Sequence, residues 1–261
     1  MRIPLYHIDA FAERPFAGNP AAVCPLETWL PDDLMQSIAG ENNLSETAFF
    51  VPEGDGYRVR WFTPTLEVDL CGHATMASAF AVFNRLAPSR ASVTFQTEKA
   101  GPLTVTREGE LLALELPARP PEHCPEPAGL AAALGKKPVE VLAARDYLAV
   151  YDSAEDVKSL KPDFEAIGRL DRFAVIVTAP GSNGIDFVSR FFAPGHGVNE
   201  DPVTGSSHCS LVPYWAARLG KTRLEARQVS RRGGALTCTL EGDRVKLAGR
   251  AVLYLSGTIE I

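Results

Sequence analysis

Two short segments of this 261-residue chain gather residues that can hold anions and move protons. Cys71-Gly72-His73-Ala74-Thr75 and Asp201-Pro202-Val203-Thr204-Gly205-Ser206-Ser207 each stand before a long, largely apolar stretch. If those stretches are helices, the segments are helix starts, where the first backbone N–H groups lack intrahelical partners and attract anions. Gly72 and Gly205 let a ligand approach closely, and Thr75, Thr204 and Ser206 add hydroxyl donors. His73 and Asp201 can exchange or orient protons, and a thiol at a helix start such as Cys71 is a candidate nucleophile. Glu46 leads into the apolar run Ala48–Val51 and, if it faces a cleft, suits general acid/base work. Asn19 sits in the turn-like Gly18-Asn19-Pro20. Each residue also has a plain structural use: Asp201, Thr204 and Ser206 as caps, Asn19 in a turn, His73 on backbone, Glu46 as a solvated strand end.

The elements that must position these residues read as α+β. Strand-type alternation recurs along the chain, including 3–9, 46–51, 57–62, 102–107, 172–178, 186–192 and 244–256. Helices are expected over 31–40, 72–86 and 204–219, with short ones in 128–134 and 154–169. The 72–86 segment is apolar on nearly every side, the mark of a fully buried helix. Five prolines between Pro117 and Pro127 interrupt the pattern and read as a linker.

The two halves echo each other. Arg60-Trp61-Phe62-Thr63-Pro64 and Arg190-Phe191-Phe192-Ala193-Pro194 share Arg-x-Phe-x-Pro at an offset of 130. Gln96-x4-Gly101 and Gln228-x4-Gly233 match at 132, and Arg85-Leu86 and Arg218-Leu219 close the two long helices. The expectation is two similar domains, 1–118 and 126–261, each a curved sheet around its helix, related by a pseudo-twofold with the site between them. At an offset of 130, Cys71 falls on Asp201.

Composition bounds the partners. The formal net charge is −6 and 46% of residues are hydrophobic, enough for a sizeable core. An acidic chain argues against nucleic acid or an anionic membrane as main partner. No stretch is apolar over a membrane span, and Met1-Arg2-Ile3-Pro4 does not read as a secretory signal. Five cysteines at irregular spacing read as free thiols in the cytoplasm. No CxxC or HExxH motif supports a metal, and Gly195-His196-Gly197 is not a dinucleotide fingerprint.

Gly18-Asn19-Pro20, Leu44-Ser45-Glu46-Thr47-Ala48-Phe49, Leu70-Cys71-Gly72-His73-Ala74-Thr75 and Glu200-Asp201-Pro202-Val203-Thr204-Gly205-Ser206 together resemble the phenazine-biosynthesis PhzF-like family. So do the opening Tyr6-His7-Ile8-Asp9-Ala10-Phe11 and the closing Gly249-Arg250-Ala251-Val252. The resemblance implies a diaminopimelate epimerase-like fold and a cofactor-independent isomerase acting on a small carboxylate-bearing metabolite, commonly as a homodimer. It carries Glu46 over as general acid/base and His73 and Asp201 as catalytic partners, and it places Asn19 and the Gly205-Ser206 pair at the substrate; the reading of the helix starts adds Cys71, Gly72, Thr75 and Thr204 to substrate binding. Related racemases use one cysteine at each helix start, and here only Cys71 is present. An amino-acid or hydroxy-acid racemase, and a catalytically silent ligand-binding module, remain the alternatives. The helix start is expected to disfavour protonation of His73, leaving a neutral hydrogen-bond donor.

Overall fold

The computed structural model describes residues 1–261, which divide into two compact units, Met1–Glu115 with Ala248–Ile261, and Leu116–Leu247. The first unit holds β1 (Arg2–Ala10), β2 (Asn19–Pro25), α1 (Asp32–Asn42), β3 (Glu46–Glu53), β4 (Gly56–Phe62), β5 (Glu67–Val68), α2 (Gly72–Ala81), β6 (Ser92–Gln96), β7 (Leu103–Glu108) and β8 (Leu111–Pro117). The second holds β9 (Glu122–His123), α3 (Leu130–Leu134), β10 (Glu140–Ala143), β11 (Tyr147–Val150), α4 (Ala154–Ser159), α5 (Phe164–Gly168), β12 (Val175–Pro180), β13 (Phe187–Phe192), α6 (Gly205–Leu219), β14 (Arg223–Gln228), β15 (Gly234–Glu241) and β16 (Arg244–Gly249). The last strand, β17 (Ala251–Glu260), belongs to the first unit. No helix is long and apolar enough to cross a membrane.

Each unit is a mixed sheet with a buried apolar helix, an α+β architecture. In the first, β17–β1–β2 pair antiparallel, β2–β3 parallel and β3–β4 antiparallel. Helix α2 packs against β1, β2, β3 and β7 and buries eight of its ten residues, including Ala74, Met76, Ala77 and Ala79. Small side chains let the strands close on it from several sides. The expected 72–86 helix is α-helical only to Ala81; Val82–Leu86 forms a wider π turn.

In the second unit the pairs alternate, with β11–β12 and β13–β14 parallel and β12–β13 and β14–β15 antiparallel. Trp215 of α6 stacks on Phe187 of β13, ring centroids 5.8 Å apart, and its indole N–H donates to Thr178 Oγ1 at 3.0 Å. Pro213 lies inside α6 and leaves the Cys209 carbonyl, one turn back, without its usual helix donor. That carbonyl accepts from the Arg119 N–H at 2.8 Å instead.

The structure departs from the sequence reading at several points. Strand β2 lies outside the expected strands, at the point where Asn19 reads as a turn residue; its prolines stand at its second and last positions. The 244–256 run is two strands separated at Arg250, and the second joins the first unit by pairing along the whole of β1. The compact units therefore change over after Glu115 and again after Leu247, where the sequence divides the chain at 118 and 126.

The repeat has a structural basis and a different register. Arg60 donates through Nε and Nη2 to both oxygens of Glu67, each at 2.7 Å, and stands 5.2 Å over the Phe62 ring. Arg190 grips Glu200 the same way at 2.7 and 2.9 Å, 5.0 Å over Phe192. Each glutamate lies four residues before the N-cap of its unit's long helix, Cys71 for α2 and Thr204 for α6. The N-caps are 133 residues apart, so Cys71 corresponds to Thr204, and Asp201 stands one short turn earlier. Three extra residues between Pro194 and Thr204 explain why the 130-residue offset misplaced it.

Arg190 is the more buried clamp, and its Nη1 also donates to the Val157 and Leu160 carbonyls at 3.1 and 3.0 Å. It ties β13, the end of α4 and the approach to Asp201 into one strut. Arg190→Ala should therefore lower unfolding free energy by ~3 kcal/mol, the order expected for breaking a buried pair. Urea denaturation measures this, and a loss below ~1 kcal/mol, the range of surface pairs, would show that the clamp is not a strut.

Candidate active site

The sequence-predicted residues fall into two groups, one in each unit. In the first unit, parallel pairing of β2 and β3 sets Ala21 opposite Glu46, so Asn19 and Glu46 begin neighbouring strands. The start of α2, packed on both strands, brings His73 to them. Gly18 makes this approach possible: its φ is +66°, and a Cβ there would lie 2.1 Å from the Ala10 carbonyl oxygen. Only glycine fits, which is the physical content of Gly18-Asn19-Pro20.

His73 is buried and sits between three groups. Its Nε2 lies 3.0 Å from Glu46 Oε2. Its Nδ1 lies 3.2 Å from Asn19 Nδ2 and 3.5 Å from Cys71 Sγ. Ser45 Oγ donates to Asn19 Oδ1 at 3.0 Å, a partner the sequence reading left unassigned. The Glu46–His73 contact is short but off the line of a good hydrogen bond, and both atoms are buried with no other partner. Thr75 is turned away from this group; its hydroxyl donates to the Cys71 carbonyl at 2.6 Å and secures the first turn. A Cβ on Gly72 would make only an ordinary 3.5 Å contact with Leu114, so packing does not demand a glycine there.

Burial pushes the Cys71 thiol up to about 11, helped by the Glu46 charge and opposed by His73. Burial also pulls His73 down, but the facing Cys71 and Glu46 outweigh it, and the imidazole is raised well above its ordinary value. Because the thiol stays protonated to about 11, the effective lift at neutral pH is the Glu46 carboxylate. The helix start was expected to disfavour the charged imidazole; the carboxylate facing it, at short range in a dry setting, overrides that smaller effect.

One donor atom from each of Glu46, Cys71 and His73 lies within 4.8 Å of the others, close enough to suggest a cation site. The donors do not converge, however. The thiol faces Nδ1 and the carboxylate faces Nε2, so an ion held by one ring nitrogen would lie out of line with the third donor. The set suits proton transfer better than coordination.

In the second unit, Asp201 and Thr204 form a tight turn before α6. The Thr204 hydroxyl donates to Asp201 Oδ2. Gln228, 1% exposed, braces the turn from β14: its Oε1 accepts from the Thr204 N–H at 2.8 Å, and its Nε2 donates to the Asp201 carbonyl at 2.7 Å and to Thr204 Oγ1 at 3.2 Å. Ser230 Oγ donates to the Pro202 carbonyl at 2.7 Å. Gln228 was visible in the sequence only as half of the Gln-x4-Gly repeat. Gly205 and Ser206 open α6, as expected. Neither Cys71 nor Thr204 caps its own helix through its side chain.

A family model described as phenazine biosynthesis-like protein, PhzC-PhzF, matches residues 8–257. The chain belongs to this family. An uncharacterized isomerase of Pseudomonas aeruginosa is 52% identical over 261 residues, covering all of both chains. The crystal structure of a PhzF-family phenazine biosynthesis protein from Enterococcus faecalis matches with a TM-score of 0.97 at 49% identity, again covering both chains fully. A hydroxyproline epimerase from Agrobacterium vitis matches with a TM-score of 0.63 at 11% identity, covering 99% of this chain and 92% of that one. The PhzF-like chain therefore shares its fold with epimerases of this architecture, as its sequence motifs imply.

Two measurements follow from the titrating groups. With its thiol at about 11, Cys71 should react with a small alkylating reagent at pH 8 ~100-fold more slowly than an unperturbed thiol. Mass spectrometry of the native protein reads this, and alkylation of Cys71 at the rate of a free thiol would contradict it. His208, on α6, is held neutral by burial, which lowers it to about 4 against the raising effect of its contact with Thr204 backbone. Its Nδ1 lies 2.8 Å from the Thr204 carbonyl oxygen. The unfolded chain takes up this proton near pH 6.5 and the fold does not, so stability falls as pH drops from about 6.5 to 4. The loss should reach ~3 kcal/mol, and His208→Leu should remove that part of the slope in urea unfolding; an unchanged slope would contradict the assignment.

Proposed function

We propose that the protein is an isomerase that moves a proton on a small carboxylate-bearing metabolite without a cofactor. Glu46 takes the proton from carbon and returns it at a second carbon. His73 steadies the Glu46 carboxylate before it takes the proton and again after it has returned it. The start of α2, with Gly72, receives the carboxylate and the negative charge that develops on it, and Gly205 and Ser206 are assigned to substrate binding by their motif. Asp201, held by Thr204 and Gln228, orients a polar group of the substrate or shares in proton handling. Asn19 contributes at the edge of the same group. The reading takes the protein as a cytoplasmic homodimer acting on a small molecule, without nucleic acid or membrane as partner.

The observation that carries this is the buried Glu46–His73 pair. Two buried polar atoms without a good hydrogen bond cost roughly 1–3 kcal/mol each. A fold that keeps them has a use for them beyond stability. Gly72, which packing does not require, adds room for a ligand at the helix start. The isomerase name of the Pseudomonas aeruginosa relative points the same way.

A two-thiol racemase has less support. The residue matching Cys71 at the second helix start is Thr204, and the Cys71 thiol is held protonated. A silent ligand-binding module would bind small carboxylates without exchanging their protons.

Solvent-deuterium exchange, screened over small amino and aromatic carboxylates, tests the proposal. The wild-type protein should incorporate deuterium into at least one of them. Glu46→Gln should keep the circular dichroism of the fold and lose exchange by ~10²–10⁴. Near-normal exchange in the variant would remove Glu46 from the role.

A further inference from the structure

We infer that Arg231 is a specificity-determining residue, and that the part of the substrate received at Gly205 and Ser206 carries a second carboxylate. The inference rests on the proposed function in taking those two residues as substrate contacts, but its test reads binding and needs no turnover.

Two matching turns, one in each unit, differ in charge. The N-caps of α2 and α6, Cys71 and Thr204, are 133 residues apart. At that offset Thr97 and Ala100, after β6, fall on Ser230 and Gly233, after β14. The same hydrogen bond closes both turns: the Ala100 N–H donates to Thr97 Oγ1 at 2.9 Å, and the Gly233 N–H to Ser230 Oγ at 3.1 Å. Each turn is also fastened to the segment before its unit's long helix. In the first unit the fastening is ionic, from Lys99 Nζ to Asp69 Oδ1 at 2.9 Å. In the second unit Pro202 stands at the position of Asp69, and the fastening is neutral, from Ser230 Oγ to the Pro202 carbonyl at 2.7 Å.

The turn residues themselves reverse sign. Glu98 in the first turn corresponds to Arg231 in the second, and both are exposed. No ion pair or hydrogen bond within the chain engages the Arg231 guanidinium. Its charge is therefore not what holds the turn, because the neutral Ser230 bond already does so. Ser230 touches the residue next to Asp201, so a side chain as long as arginine, one position further on, can reach a ligand there. An anionic group brought beside the Asp201 carboxylate meets like charge, which a nearby cation offsets. A guanidinium suits a carboxylate in particular, since its planar fork gives two parallel N–H···O bonds. Glutamate, the residue at the matching place in the first unit, would repel the same group. With one carboxylate received at the start of α2, the group that Arg231 meets is a second one, and the substrate is a dicarboxylate.

Isothermal titration calorimetry tests this with the straight-chain dicarboxylates from malonate to adipate, each set against the monocarboxylate of the same length, propionate to hexanoate. At least one dicarboxylate should bind the wild-type protein ~10-fold more tightly than its monocarboxylate, the order of one charge-assisted hydrogen-bonded contact. Arg231→Ala should bring that ratio close to one by weakening the dicarboxylate alone. Glu98→Ala, at the matching position of the first unit, should leave the ratio as it is in the wild type. Both positions are exposed, so both variants should keep the circular dichroism of the fold. A wild type that prefers no dicarboxylate over its monocarboxylate, or a preference that survives Arg231→Ala, would overturn the inference. A dicarboxylate preference that depends on Arg231, in a protein that exchanges the protons of no carboxylate, would sink the proposed function and leave the inference intact. Proton exchange on a monocarboxylate, with no dicarboxylate preferred, would do the reverse.

Discussion

A 3.0 Å contact between His73 Nε2 and Glu46 Oε2, closed off from water, is the interaction on which the first unit's site depends. In water such a pair would be worth little, because each partner would be solvated and screened. Buried, each partner governs the other: Glu46 lifts the imidazole despite its desolvation. The contact exists only because three elements end in register. Parallel β2 and β3 start side by side, and α2 packs across them by presenting alanines where larger side chains would hold the strands away.

The second unit meets a similar demand by different means. Its helix start is held by a neutral network, in which Gln228 spans the turn and Thr204 ties back to Asp201. The arginine–glutamate clamp before each long helix is common to both units, so the frame repeats while the chemistry does not. The first helix start carries a thiol and an imidazole, and the second a carboxylate, hydroxyls and a buried neutral histidine one turn further in.

Much of this was legible in the sequence, for reasons that can be named. The burial of α2 follows from its all-round apolar composition, and the family motifs mark Asn19, Glu46, His73 and Asp201 without placing them. What could not be read depends on long-range pairing. Strand β2 begins in the turn-like Gly18-Asn19-Pro20 and is held by its pairing with β1 and β3, which sequence alone does not show. The return of β17 to the first unit has no local signal, since its residues would suit a strand in either sheet. The register of the repeat was misjudged because three added residues between Pro194 and Glu200 shift the helix start relative to the Arg-x-Phe-x-Pro motif. Ser45 and Gln228 act through hydrogen bonds to residues 26 and 24 positions away, a separation at which sequence offers no periodicity to follow.

The central claim is that Glu46 and His73 act as one unit. A double-mutant cycle of Glu46→Gln and His73→Gln, measured on solvent-proton exchange with an exchanging carboxylate, tests it most directly. Residues that work as a unit lose most of their effect with the first substitution, so the double variant should be about as slow as the slower single variant. Losses that multiply, each substitution slowing exchange by the same factor whether or not the other is present, would show that the two side chains act independently and would contradict the account.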